Sequence, residues 1–246
     1  MLELRRQPIT SADDSRRAYD RVYAERGIRQ LDSFYIWMLR ALRVEPGRSL
    51  LDISCGEGQL LRLATAAGLR PHGVEISPAA AALARRTAPA AQIVVGDGER
   101  LPYPDGAFDY VTHIGSLEHY LSPAQGAAEV SRVLSPSGRA CLLLPNTFGL
   151  LWTVWHAWRT GDLYDDGFQP LQRYATRRQW QALLEASGLV VERTLGYSRE
   201  WPRTAADWRW YARHPGRFVF ALLSPCVPLN LASCFAFICR QATPTG

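Results

Sequence analysis

The chain has 246 residues, enough for one α/β domain with insertions and too few for two full domains of ordinary size. With 47% hydrophobic and 21% charged residues it is expected to bury a packed core, which excludes an extended disordered chain. All 28 basic side chains are arginine, set against 23 acids, and they fall in scattered pairs (Arg5-Arg6, Arg16-Arg17, Arg85-Arg86, Arg177-Arg178) instead of a basic stripe, so the +5 charge argues against nucleic acid as a partner.

Residues 1–14 read as a loose polar arm. From Ser15 to Leu42, Tyr19, Val22, Tyr23, Leu31, Phe34, Met38 and Leu42 recur at helical spacing around a break at Gly27, predicting two helices. Met1-Leu2-Glu3-Leu4-Arg5-Arg6 lacks a continuous apolar signal core, and five cysteines with no Cys-x-x-Cys pair fit buried free thiols. A cytoplasmic protein is the expectation from both.

The most informative stretch follows Pro46-Gly47. Ser49–Ile53 reads as a short buried strand, Ser54-Cys55-Gly56-Glu57-Gly58 as a tight turn, and Leu60, Leu61, Leu63 and Ala66 as the start of a helix. Gly56 and Gly58 permit unusual dihedrals and close approach of a ligand, while the free N–H groups of the helix start attract an anionic group, so a nucleotide-like cofactor is the expected occupant. Glu75 stands 19 residues beyond Gly56 at the end of a second short strand, near the spacing at which a carboxylate meets ribose hydroxyls in dinucleotide folds.

Ser77-Pro78 caps a helix over Pro78–Arg86, and strands follow at 92–96 and 108–114. Ser122-Pro123-Ala124-Gln125 has the capping-box pattern and opens a helix to Val133, after which Arg139–Leu144 forms strand five. Residues 145–175 break the alternation with seven aromatic residues and three glycines, a candidate lid over the carboxyl edge of the sheet; packing of a small helical subdomain is the plain alternative. Thr176-Arg177-Arg178-Gln179 opens another helix, Leu189–Gly196 is strand six, and Arg199–Arg213 is a second aromatic and basic insertion on the same edge. Phe218–Cys239 is uncharged and long enough to span a membrane, but Pro225, Pro228 and Asn230 interrupt it, so helix, proline turn and a closing strand at 234–239 is the preferred reading over membrane contact.

Asp52-Ile53-Ser54-Cys55-Gly56-Glu57-Gly58 resembles the first motif of the class I S-adenosylmethionine-dependent methyltransferases, Asp-x-Gly-x-Gly-x-Gly, with Ser54 where that family has its first glycine. Val95–Tyr103 and Phe108–Val111 leading to Gly115-Ser116-Leu117-Glu118-His119 extend the likeness over roughly residues 45–197. The resemblance implies an α/β Rossmann-like three-layer sandwich whose seven-stranded, mostly parallel sheet has an antiparallel last strand, with aromatic insertions after strands five and six. It implies a single domain made of an N-terminal helical cap (1–44), a cofactor-binding core (45–144), the lid (145–175) and a C-terminal half (176–246).

It further implies S-adenosyl-L-methionine as cofactor, with Asp52 and the turn at Ser54, Gly56 and Gly58 on the methionine part, Glu75 at the ribose hydroxyls, Asp97 with the Gly98 backbone at the adenine amino edge, and Cys55, Ile76, Glu99 and Ile114 as further cofactor-binding residues. Tyr19 belongs to the expected cover. His113, Glu118 and His119 follow strand four and are the candidate bases, with His119 favoured because the chain has left the sheet there. They have no zinc spacing, so no metal is expected. The expected activity is methyl transfer to a small organic or lipid-like acceptor; two further possibilities are a membrane-surface enzyme of lipid-linked intermediates and a cofactor-binding partner protein without turnover.

Overall fold

A computed structural model describes residues 1–242. In chain order the elements are β1 (Leu2–Arg5), α1 (Ala12–Glu25), α2 (Asp32–Leu42), β2 (Ser49–Ile53), α3 (Gln59–Ala66), β3 (Arg70–Glu75), α4 (Pro78–Thr87), β4 (Gln92–Val95) and β5 (Phe108–Ile114). There follow α5 (Pro123–Val133), β6 (Leu134–Pro145), α6 (Trp155–Thr160), β7 (Leu171–Tyr174), α7 (Arg177–Ala186), β8 (Leu189–Tyr197), α8 (Ala205–Arg213), α9 (Pro215–Leu223) and β9 (Cys234–Gln241).

Seven strands form the main sheet in the order β4-β3-β2-β5-β6-β9-β8. All neighbours pair in parallel except β9, which runs antiparallel to both β6 and β8. This is the Rossmann-like sheet with an antiparallel last strand that the sequence predicts. Successive residues of β2 serve opposite faces: Leu51 and Ile53 join the core under α5 and α7, with Val130, Trp180 and Leu184, while Leu50 joins the core under α2, α3 and α4, with Met38, Leu61 and Ala84. Both faces are covered, so the central strands are largely buried, and β6 and β9 carry continuous apolar runs at Ala140–Pro145 and Cys234–Cys239.

Local signals fix where the helices start. Ser77 Oγ accepts the N–H of Ala80 at 3.1 Å ahead of Pro78, and Thr176 with Gln179 forms a reciprocal capping box on α7. Only half of the corresponding box forms on α5, where Ser122 Oγ accepts from Gln125 N and the glutamine side chain does not return the bond. Strand five of the sequence reading, β6, starts five residues earlier than Arg139, at Leu134, where Phe108 faces it across an irregular register.

The N-terminal segment is no loose arm. Residues 2–5 pair antiparallel with residues 171–174 of the expected lid, making a separate two-stranded sheet. Arg173 is buried and cross-links this sheet to the main domain: its Nε meets Glu3 Oε2 at 2.7 Å and its Nη1 donates to the carbonyl of Tyr120 at 2.5 Å. Strand propensity in both short segments was masked by their charges. The tail from 218 to 239 is α9, a proline-broken turn and β9, and among the described residues no helix is long and apolar enough to cross a membrane.

Candidate active site

The chain reverses its direction of sheet growth between β2 and β5, and beyond the carboxyl ends of those strands lies a cavity of about 1300 Å³. Its first half is built on the loop after β2. Ser54 takes φ 57°, a left-handed conformation that is uncommon for a residue with a side chain and costs about 1 kcal/mol or more. Its Oγ lies 2.9 Å from the hydroxyl of Tyr120, a contact glycine could not make. Gly56 also has positive φ, and a Cβ there would lie 2.8 Å from the Tyr23 hydroxyl of α1. Side chains from α1 therefore close directly over this turn, and the Arg29–Glu57 and Ser77–Asp20 contacts tie the N-terminal helices to it.

The carboxylates bordering this half include Asp52, Glu75 and Asp97. Glu75 is buried and accepts the N–H of Gly56 at 2.8 Å and of Ser77 at 2.9 Å, so it braces two loops as well as bordering the cavity. Asp52 accepts the Thr112 hydroxyl at 2.7 Å. Asp97 holds the N–H of Glu99 at 2.9 Å. Burial pushes the Asp52 carboxyl up to about 7 and that of Glu75 to about 6; the Thr112 hydroxyl and the backbone N–H groups pull the other way. Asp52 and Glu75 take hydrogen bonds only from neutral donors. A ligand bringing positive charge and hydroxyl groups is what this donor set lacks.

The second half lies under the two insertions. His119 follows β5 in a short 3₁₀ turn; its Nδ1 donates to the carbonyl of Leu171 in β7 at 2.5 Å, which leaves Nε2 as the acceptor nitrogen. Burial holds His119 down at about 4, so the ring is neutral. Burial raises the adjoining Glu118 to about 8, and its Oε2 has no partner although the side chain is buried. The two side chains therefore meet as a neutral acid and a neutral imidazole, Nε2 to Oε1 at 3.8 Å. Tyr19 hydrogen-bonds Gln169 at 2.8 Å above His119, and Gln172, Tyr174, Tyr164 and Trp152 continue the wall.

Of the residues singled out from sequence, Tyr19, Asp52, Ser54, Cys55, Gly56, Glu75, Ile76, Asp97, Gly98, Glu99, Ile114, Glu118 and His119 all border this cavity. Gly58 and His113 do not. Gly58 caps α3 with φ 82°, and a Cβ there would sit 3.0 Å from the Cα of Ala84, so it serves helix packing. His113 is fully buried against Tyr120 and shares a hydrogen bond with Ser116; burial drives it down to about 3. The Cys55 side chain points into the core beside Gly73, leaving its backbone at the cavity.

Tyr120, Gln169, Gln172 and Asn146 escaped the sequence reading. Asn146 is buried at the end of β6 and donates to the carbonyls of Asn230 and Ala232 at 2.9 and 2.8 Å, pinning the start of the first insertion to the turn before β9. A polar residue directly after a strand of leucines was the available signal. The insertions divide in use: Trp152, Trp155, Tyr164, Phe168 and Tyr174 border the cavity, whereas Phe148 and Trp158 face outward. Among the described residues no cluster of metal-ligating side chains occurs.

Residues 51–142 match a family described as a methyltransferase domain. A protein of Mycolicibacterium smegmatis named "Probable S-adenosylmethionine-dependent methyltransferase" is 30% identical over 74% of this chain and 65% of its own length. The 27-O-demethylrifamycin SV methyltransferase of Amycolatopsis mediterranei is 37% identical over 44% of each chain. The chain spans between a third and about two thirds of the length of the curated relatives it matches. In fold it is similar to Burkholderia thailandensis 1,6-didemethyltoxoflavin-N1-methyltransferase, solved with its acceptor and S-adenosylhomocysteine, with a TM-score of 0.60 at 16% identity over 96% and 92% of the two chains.

Proposed function

We propose, from the premise that this chain belongs to the class I S-adenosylmethionine-dependent methyltransferase family, that it methylates a small organic or lipid-like acceptor held beneath its two insertions. One observation carries the choice of acceptor. The cavity of about 1300 Å³ runs from the strand-end carboxylates to a wall of tyrosine and tryptophan, and a single ligand of ordinary size fills only about 300 to 1,000 Å³. The volume suits a cofactor and a compact acceptor side by side.

The residues present fit S-adenosylmethionine. Glu75 keeps lone pairs free for ribose hydroxyls after serving Gly56 and Ser77, Asp97 and the Gly98 backbone would read an adenine edge, and Asp52 and the Ser54–Gly56 turn would hold the methionine part. Their net negative charge complements a cation. When bound, the cofactor supplies an electrophilic methyl group on a sulfonium sulfur.

The chain's own contribution is positioning, exclusion of water and removal of one proton. Orientation of an acceptor can supply about 7 to 11 kcal/mol of a barrier in well-ordered systems. For an acceptor O–H or N–H, Nε2 of His119 is the base: Leu171 fixes its tautomer, and the imidazolium that forms stands beside Glu118, whose carboxyl then ionises more readily. Tyr19 and Gln169 hold the cover down over this pair.

Incubation of the purified protein with methyl-labelled S-adenosylmethionine and extracted metabolites, followed by mass spectrometry, tests this reading. A labelled small-molecule product is expected. Calorimetric binding of S-adenosylhomocysteine with no product from any acceptor class would instead identify a cofactor-binding partner protein, and binding of NAD in its place would refute the family-based assignment of the site.

A further inference from the structure

Twelve of the fifteen large apolar side chains that stand exposed among the described residues lie in 148–163 and 201–229, the others being Met1, Val94 and Val95. Scattered exposure of this kind is ordinary; concentration in two segments that border one cavity is not. In α9 the order of a surface helix is inverted. Val219, Leu222 and Leu223, spaced i, i+3, i+4 on one face, are each about half exposed, at 51%, 49% and 47%. On α6, Trp158 points outward at 74% exposure, and Trp155, half exposed at the rim of the cavity, packs against it at 5.1 Å between ring centres.

The charge around this face is one-sided. Between 199 and 233 the only acids are Glu200 and Asp207, and both are buried: Glu200 takes the hydroxyls of Tyr197 and Tyr211, and Asp207 takes the N–H and hydroxyl of Ser33. Arg203, Arg209, Arg213 and Arg217 are exposed, Arg209 and Arg213 one turn apart on α8 and Arg217 in the first turn of α9. The segment 148–163 adds aromatic surface with Arg159 and Asp162 as its only charges; of the acids that follow it, Asp165 pairs with Arg6 and Asp166 borders the cavity. Trp152, Trp155 and Arg159 on one side and Arg199, Arg217 and Phe220 on the other line the cavity as well, so the apolar face frames its opening.

We propose that this face seats the protein on an anionic lipid bilayer, with α6 and α9 at the level of the headgroups and the cavity opening toward the acyl region. Tryptophan rings and arginine guanidiniums, one end apolar and one polar, are the side chains that settle at that depth. The unpartnered apolar face of α9 needs a planar hydrophobic partner, and the unopposed arginines need phosphate. A bilayer of anionic lipid supplies both, and it delivers an amphiphilic acceptor to the opening. The contact is peripheral; it requires no membrane-crossing helix.

Co-sedimentation with vesicles tests the proposal without cofactor or turnover, so its outcome is separate from that of the methyl-transfer reading. The protein is expected to sediment with vesicles of phosphatidylcholine and phosphatidylglycerol in equal parts, to stay in solution with phosphatidylcholine alone, and to be released by salt. Arg209→Glu with Arg213→Glu is expected to weaken partition by at least about tenfold, from the contribution of each arginine near an anionic surface. Leu222→Ser with Leu223→Ser is expected to do likewise, and both variants should melt with the parent because the altered side chains are exposed.

Brominated acyl chains offer a readout on the unaltered protein, since they quench tryptophan only from within the bilayer. Absence of quenching and of sedimentation overturns the proposal. So does binding that survives both variants. A parent that sizes as a dimer and is split by the α9 variant without vesicle binding would assign the face to a second copy, and binding to polyglutamate in place of vesicles would assign it to an acidic protein.

Discussion

Replacing Glu75 by alanine removes two different things at once, and the structure separates them. The carboxylate accepts the buried N–H groups of Gly56 and Ser77 at 2.8 and 2.9 Å. Each donor left unsatisfied costs about 1 to 3 kcal/mol, so the variant is expected to lose roughly 2 to 4 kcal/mol of stability, partly offset where water fills the space. For a chain of this size that lowers the melting temperature by roughly 5 to 15 °C. The same change withdraws the acceptors proposed for the ribose hydroxyls, and charge-assisted bonds of about 1.5 to 3 kcal/mol predict S-adenosylhomocysteine binding weakened by roughly 10- to 150-fold. Glu75→Gln keeps one acceptor oxygen and the side-chain volume, so it should recover part of the stability while binding remains poor. Because burial raises this carboxyl to about 6, above its unfolded value, its contribution to stability is fully present below about pH 4.5 and is lost as pH rises through 6. Cofactor affinity has the opposite slope, increasing as the carboxylate ionises. Calorimetry and thermal melts on both variants between pH 5 and 8 follow the two effects separately. Unchanged affinity in the alanine variant, with the melting temperature lowered, would confine Glu75 to bracing the two loops and refute the ribose assignment.

His119→Asn retains a donor for the Leu171 carbonyl and lacks Nε2, so kcat should fall by at least about 10² with cofactor affinity nearly unchanged; equal loss of acceptor and cofactor binding would mean that the ring only supports β7. Glu118→Gln should flatten the decline in stability with rising pH: the wild-type carboxyl, raised to about 8, contributes stability that is present below about 4.5 and lost through 8, and the slope is best read above about pH 7.5, where the buried histidines are neutral both folded and unfolded. Parallel melting curves for the two proteins over that range would refute the raised pKa. Arg173→Ala breaks the links to Glu3 and to the carbonyls of Tyr120 and Glu118, so hydrogen exchange should rise together at 2–5, 117–120 and 171–174, with acceptor KM raised more than cofactor Kd. Loss of protection confined to 2–5 would uncouple β1 from the site.

The half of the cavity built on the loop after β2, where the cofactor is proposed to bind, was legible because it is local. β2, its turn and α3 are consecutive, Glu75 follows within one crossover, and the turn chemistry at Ser77-Pro78 and Thr176–Gln179 is written within four residues each; hydrophobic runs and caps determine such elements with little help from the rest of the chain. The substitution of Ser54 for glycine was legible as a departure, but only the packed structure supplies its compensation, the contact with Tyr120 some 66 residues away. The half under the insertions, proposed for the acceptor, was not legible for the same reason carried further. β1 and β7 are four residues long, charged, and separated by more than 160 residues, so neither has a periodic signal and each is a strand only because the other is beside it. Whether His113 or His119 bordered the cavity also depended on register: β5 turns His113 into the packed face beside Tyr120, while the 3₁₀ turn after Gly115 carries His119 out to meet Leu171. Composition and spacing determined the individual strands, the helix caps and the strand-end carboxylates, and the family resemblance the sheet they form; the tautomer of His119, the pinning of the first insertion to the turn before β9 by Asn146, and the outward face of α9 were decided by contacts between segments that no local pattern connects.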